Sequence, residues 1–127
     1  MRKTYPETIQ ARDLADLIGG QCLHGLLPQE QLELEKVSIN GIIAMWCPDN
    51  DPNPEYYQAM SADDWAEEFE PGYYGLERAL RRGDDVPPLV LKRLKNGRLR
   101  WLDGAHRITI ALSLGITELD AYVYTVE

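Results

Sequence analysis

The chain has 127 residues, a formal net charge of −8, 44% hydrophobic residues and 27% charged residues. That length suits one domain, and the composition is that of an ordinary globular protein rather than a disordered or fibrous one. Two cysteines, Cys22 and Cys47, and two histidines, His24 and His106, exclude a disulfide scaffold and a four-ligand zinc site of the CxxC or HExxH type.

The first ten residues begin basic but lack the apolar core of a secretory signal. The near-apolar stretch Gly41–Trp46 is too short to span a bilayer. A cytoplasmic location, reduced cysteines and no membrane partner are therefore expected. Thr8–Gly20 predicts a helix, with Leu14, Leu17 and Ile18 at i, i+3, i+4 and Gly19-Gly20 as a stop. Residues 1–31 are read as a helical N-terminal extension and residues 32–127 as the main domain. Leu32–Ile39 predicts a strand whose apolar phase shifts between Leu34 and Val37; Ile42–Trp46 extends or follows it.

An acidic insertion occupies about residues 47–74. It opens with a proline-rich turn segment, Cys47–Pro54. Ser61 and Asp64 then resemble a capping box, Trp65 and Phe69 form one apolar stripe, and Pro71-Gly72 ends the helix. A second short helix is expected at about Gly75–Arg82. From Asp49 to Glu70 there are eight acids and no bases. Between Arg78 and Arg107 there are nine bases and three acids. The two blocks read either as solvated faces that neutralise one another or as an anion site beside an acidic shield. Such a shield disfavours a long DNA duplex but admits a small nucleotide.

Leu89–Lys95 and Arg98–Leu102 predict a hairpin, with Asn96-Gly97 as a two-residue type I′ loop. That register sets Arg93 opposite Arg100 and Lys92 opposite Trp101. Opposed like charges destabilise a sheet, so Arg93 and Arg100 point to an anion or acidic partner, unless both splay into water or meet the acidic block. Asp103-Gly104-Ala105 opens a helix, with Ile108, Ala111 and Leu112 on one face, Gly115 closing it and Ile116 in the apolar position beyond. Ala121–Val126 predicts a last strand. The fold class is α+β: a small mixed sheet in which a hairpin feeds a helix.

The chemistry concentrates in Trp101-Leu-Asp-Gly-Ala-His-Arg107. First-turn amides of a helix lack intrahelical partners, and the helix dipole makes them attractive to anions. Gly104 permits close approach, and His106 and Arg107 bring donors for phosphate oxygens. Asp103 reads as a helix N-cap accepting from Ala105 or His106. A carboxylate there repels phosphate unless a Mg²⁺ ion bridges the two.

Pro87-Pro-Leu-Val-Leu, the hairpin, and Leu102-Asp-Gly-Ala-His-Arg-Ile-Thr-Ile-Ala-Leu-Ser-Leu-Gly-Ile resemble the core of the ParB/sulfiredoxin superfamily. There a PP(I/L)VV segment and a (D/G)GxHR motif join a hairpin to a phosphate-binding helix. Val37-Ser-Ile-Asn-Gly-Ile42 is similar to the family's first strand. The strong likeness covers Val86–Ile116. Members bind CTP or ATP, act as a free serine kinase, or are nuclease or ATPase relatives. Sulfiredoxins carry a reactive cysteine where this chain has Ala105. Partition proteins carry GERR, followed by a helix-turn-helix domain that this sequence, ending at Glu127, does not show.

The resemblance implies a stand-alone nucleotide-binding domain taking ATP or CTP with Mg²⁺, and hydrolysing or transferring a terminal phosphate. Gly104, Ala105, His106 and Arg107, with Arg93 and Arg100, are the expected phosphate contacts. Asp103 and His106 are the expected catalytic residues, Asp103 also serving Mg²⁺ through the nucleotide. The alternatives are a ParB-like nuclease, or a non-catalytic interaction or inhibitor protein using the acidic, aromatic surface of residues 49–70.

Overall fold

The computed structural model describes residues 5–14, 26–43, 87–95 and 97–126. Among them is a five-stranded mixed sheet with one α-helix, a small α+β domain. The strands are β1 (Thr8–Gln10), β2 (Gln31–Ser38), β3 (Leu89–Arg93), β4 (Leu99–Asp103) and β5 (Glu118–Thr125). The helix, α1, is Ala105–Ser113. The sheet order is β1-β2-β5-β3-β4. β3 and β5 run parallel, and the other neighbours are antiparallel.

β3 is apolar at consecutive positions because both sides of it are covered. Leu89 and Leu91 join Ile108 and Ala111 of α1, with Val37, Ala121 and Val123. Val90 faces the other way, into Ile9, Leu32, Leu102 and Tyr122. β2 behaves similarly along its length. Leu32 serves the second cluster and Val37 the first, which explains the phase shift in its sequence. An isolated nine-residue helix is marginal in water. Burial of Ile108, at 0% exposure, contributes about 1.5–3 kcal/mol towards holding it on the sheet.

The end of α1 follows its sequence. Gly115 has φ +77°, its N–H donates to Leu112, and the Ile116 N–H donates to Ala111. These two bonds form a Schellman closure, and Ile116 packs on the first cluster as the pattern requires.

Two expectations are corrected. Thr8–Gln10 is an edge strand rather than the start of a helix. Ile9 pairs with Leu32, and the Leu34 N–H donates to Glu7 at 2.8 Å. Sheet pairing outweighs the weak helical preference of these residues, so residues assigned to the N-terminal extension belong to the main sheet. Ala11–Asp13 follows as a 3-10 turn.

The hairpin loop also differs. The Leu94 N–H donates to Arg98, and the Gly97 N–H donates to Leu94. That closes a three-residue connection with Gly97 at φ +89°, not a two-residue one. The register therefore slips by one residue: Arg93 opposes Leu99, Lys92 opposes Arg100, and Leu91 opposes Trp101. Outside β4, Ile43 forms a single parallel bridge to Arg100. No described helix is long and apolar enough to cross a membrane.

Candidate functional site

The junction of β4 and α1 brings Asp103, Gly104, Ala105, His106 and Arg107 together. Gly104 is buried with φ +106° and ψ 22°, a left-handed conformation that L side chains rarely adopt. Space demands glycine as well. A Cβ there would lie 2.5 Å from Leu89 Cδ2 and 3.0 Å from Arg107 Nη2. The tight turn thus carries the chain from the sheet into α1 with no room to spare.

Gly104, not Asp103, is the N-cap residue, and no side chain caps the helix. The expected bond from Asp103 to Ala105 or His106 is replaced by a shorter loop. Asp103 is the last residue of β4, and its Oδ1 accepts the Gly104 N–H at 2.9 Å. Its Oδ2 lies 3.6 Å from Arg107 Nη2. His106 is exposed in the first turn.

Arg107 points back along the sheet. Its Nη1 donates to the carbonyls of Pro87 at 2.7 Å and Pro88 at 3.2 Å. The side chain is only 12% exposed. Burial lowers its pKa from the ordinary arginine value, and neighbouring Asp103 partly offsets that. The diproline therefore has a task that sequence reading missed. It presents two successive backbone carbonyls to the guanidinium at the helix start. The signal was there as two motifs, PP and DGxHR, but only folding connects them.

Arg93 and Arg100 do not join this junction or each other. Arg93 is on the α1 side of the sheet, where it reaches across β5 to Glu35 on β2. The pair is bidentate, Nη1–Oε2 3.1 Å and Nη2–Oε1 2.8 Å. That hydrogen bond raises the Arg93 pKa against the desolvation. Arg100 is buried on the opposite side, with Val90, Lys92 and Leu102. The expected Arg93–Arg100 anion site is thus undone by the register slip, because a one-residue shift turns one partner to the other side.

A groove of about 680 Å³ lies over the ends of β2 and β5, lined by Glu30, Gln31, Glu33, Tyr124 and Thr125 among others. Its carboxylates do not suit a phosphate. Among the described residues no cluster of three or more His, Cys, Asp or Glu side chains could hold a metal ion. The acidic stretch 49–70, the predicted helices within 47–82, and Cys22, His24 and Cys47 lie outside the described residues. No protein-family model, curated protein or solved structure matches this chain.

Proposed function

We propose that this chain is a ParB/sulfiredoxin-like domain that binds a nucleoside triphosphate, ATP or CTP, with its phosphates at the start of α1. The observation that carries the reading is the helix terminus without a side-chain cap, entered through Gly104 at positive φ. First-turn amides point outward there, and the helix dipole favours an anion. The resemblance of Pro87–Leu91 and Asp103–Arg107 to the family's phosphate-binding hairpin and helix supports the same reading.

Within it the residues divide by task. The amides of Ala105 and His106 are the backbone donors. The His106 side chain, exposed in the first turn, donates to phosphoryl oxygens and favours charge developing there during hydrolysis or transfer. Arg107 is a positioning residue, since its guanidinium spans Pro87, Pro88 and Asp103. Asp103 spends one oxygen on Gly104 and turns the other to Arg107, so it fits poorly as a Mg²⁺ ligand. Mg²⁺ would arrive on the nucleotide's own phosphates.

The test is a thermal-unfolding panel of ATP, CTP, GTP and ADP with and without Mg²⁺. A ligand that binds only the folded chain raises its Tm. At least one triphosphate should do so, and His106→Ala should weaken its binding about tenfold or more, the worth of a charge-assisted contact. No stabilisation of the wild type at millimolar nucleotide would remove the proposal.

A further inference from the structure

The sheet forks between β2 and β5. Their antiparallel ladder runs from Ser38 opposite Glu118 to Glu33 opposite Val123, and there it stops. Both strands continue past that rung, β2 back to Gln31 and β5 out to Thr125. Each follows its other neighbour. Leu32 and Gln31 stay opposite Ile9 and Gln10 of β1, and Tyr124 and Thr125 stay opposite Lys92 and Arg93 of β3.

Successive residues of a strand turn their peptide groups to opposite neighbours. The Ala11 N–H donates to Glu30 at 2.8 Å, so Glu30 and Leu32 address β1, and Gln31 between them addresses the fork. On β5 the Val126 N–H donates to Arg93 at 2.9 Å, so Val126 and Tyr124 address β3, and Thr125 addresses the fork. Gln31 and Thr125 are where the next rung would form, and no rung joins them. The groove of about 680 Å³ opens here, with Glu30, Gln31 and Glu33 on the β2 side and residues 123–126 on the β5 side. Its size is that of a small-ligand pocket. Glu30 and Glu33 are the charged groups that line it. Arg93 stands beside Thr125 but is held by Glu35.

We propose that this fork binds a short extended peptide segment carrying a basic side chain. Two carboxylates alone are an ordinary solvated rim; the interrupted ladder is what selects a peptide. An extended ligand also turns successive peptide groups to opposite sides, so one of its residues can pair with Thr125 and the next with Gln31. Its lysine or arginine then reaches Glu33 and Glu30 at the rim, and an acidic segment is repelled there. The site belongs to β2 and β5 and uses none of the residues at the start of α1, so it stands apart from the nucleotide reading.

Titration of the full ¹⁵N-labelled chain with the blocked tripeptide acetyl-Val-Lys-Val-amide, followed by amide NMR, tests the site. Millimolar peptide should shift the Gln31 and Thr125 amides and slow their exchange with solvent. Methylating the backbone nitrogens of the peptide should weaken binding about two- to tenfold, the worth of a lost hydrogen bond. Glu33→Gln, at an exposed position, should weaken it about two- to fivefold without changing the denaturation midpoint. Acetyl-Val-Glu-Val-amide should not bind. Four results overturn the proposal: no shift at Gln31 or Thr125 with the lysine peptide, equal binding of the glutamate peptide, undiminished affinity in Glu33→Gln, or equal binding of acetyl-lysine-amide, which carries the charge without the strand. Failure of triphosphate binding leaves this test intact, because no nucleotide enters it.

Discussion

Replacing Arg107 by methionine separates a strut from a ligand contact. In this structure its Nη1 serves the Pro87 and Pro88 carbonyls at 2.7 and 3.2 Å. A hydrogen bond to a charged group is worth about 1.5–3 kcal/mol, and the longer of these two bonds belongs at the low end. The pairing with Asp103 spans 3.6 Å, and Asp103 is 35% exposed, so solvent screening holds it below about 1 kcal/mol. Against these gains stands the desolvation that lowers the Arg107 pKa. Methionine keeps most of the stem volume but leaves two carbonyls without their donor. The expected loss is about 2–3 kcal/mol of folding stability, a fall in Tm of about 6–15 °C for a chain of this size. Urea unfolding followed by tryptophan fluorescence measures it. Arg107→Lys, able to reach one carbonyl, should recover about half. A variant within about 0.5 kcal/mol of wild type, with triphosphate affinity down tenfold or more, would refute the strut and return Arg107 to the ligand.

Gly104→Ala combines a disfavoured φ with a contact on fully buried Leu89, so it should cost about 2–4 kcal/mol; a wild-type denaturation midpoint would show that Leu89 yields freely. The Tyr122 hydroxyl donates to the Pro6 carbonyl at 2.7 Å, and burial, then Tyr5, pushes its pKa above the usual value near 10. A raised acid keeps its proton in the folded state, so the stability it contributes is complete below about pH 10. It is lost as pH rises through the folded pKa. Tyr122→Phe should lower stability by about 1 kcal/mol at neutral pH and flatten the alkaline limb of a pH series; an unchanged limb would assign the alkaline loss to other groups.

Much of the fold was legible because it depends on short-range rules. The apolar run before Asn96-Gly97, the glycine at each end of α1 and the alternation after Asp120 carry strand, helix and strand without any knowledge of neighbours. The Schellman closure at Gly115 and Ile116 is entirely local, and its sequence pattern is unambiguous. Thr8–Gln10 was not legible in this way. Three residues have little intrinsic preference, and their strand exists because β2 offers an edge to pair with.

The candidate site divides along the same line. That Asp103–Arg107 would form a strand-to-helix turn with outward amides is a property of those residues in order. What each side chain does there depends on groups distant in sequence. Arg107 is claimed by the Pro87 and Pro88 carbonyls, about twenty residues earlier, and Gly104 is crowded by Leu89. One residue in the hairpin loop decided the rest. Sequence alone supplies an Asn-Gly turn and five basic residues around it, Lys92, Arg93, Lys95, Arg98 and Arg100. The closure of Leu94 on Arg98 sets which of them share a side of the sheet. Because side chains alternate with a period of two, that single step sent Arg93 to Glu35 and left Lys92 facing Arg100 in a buried layer.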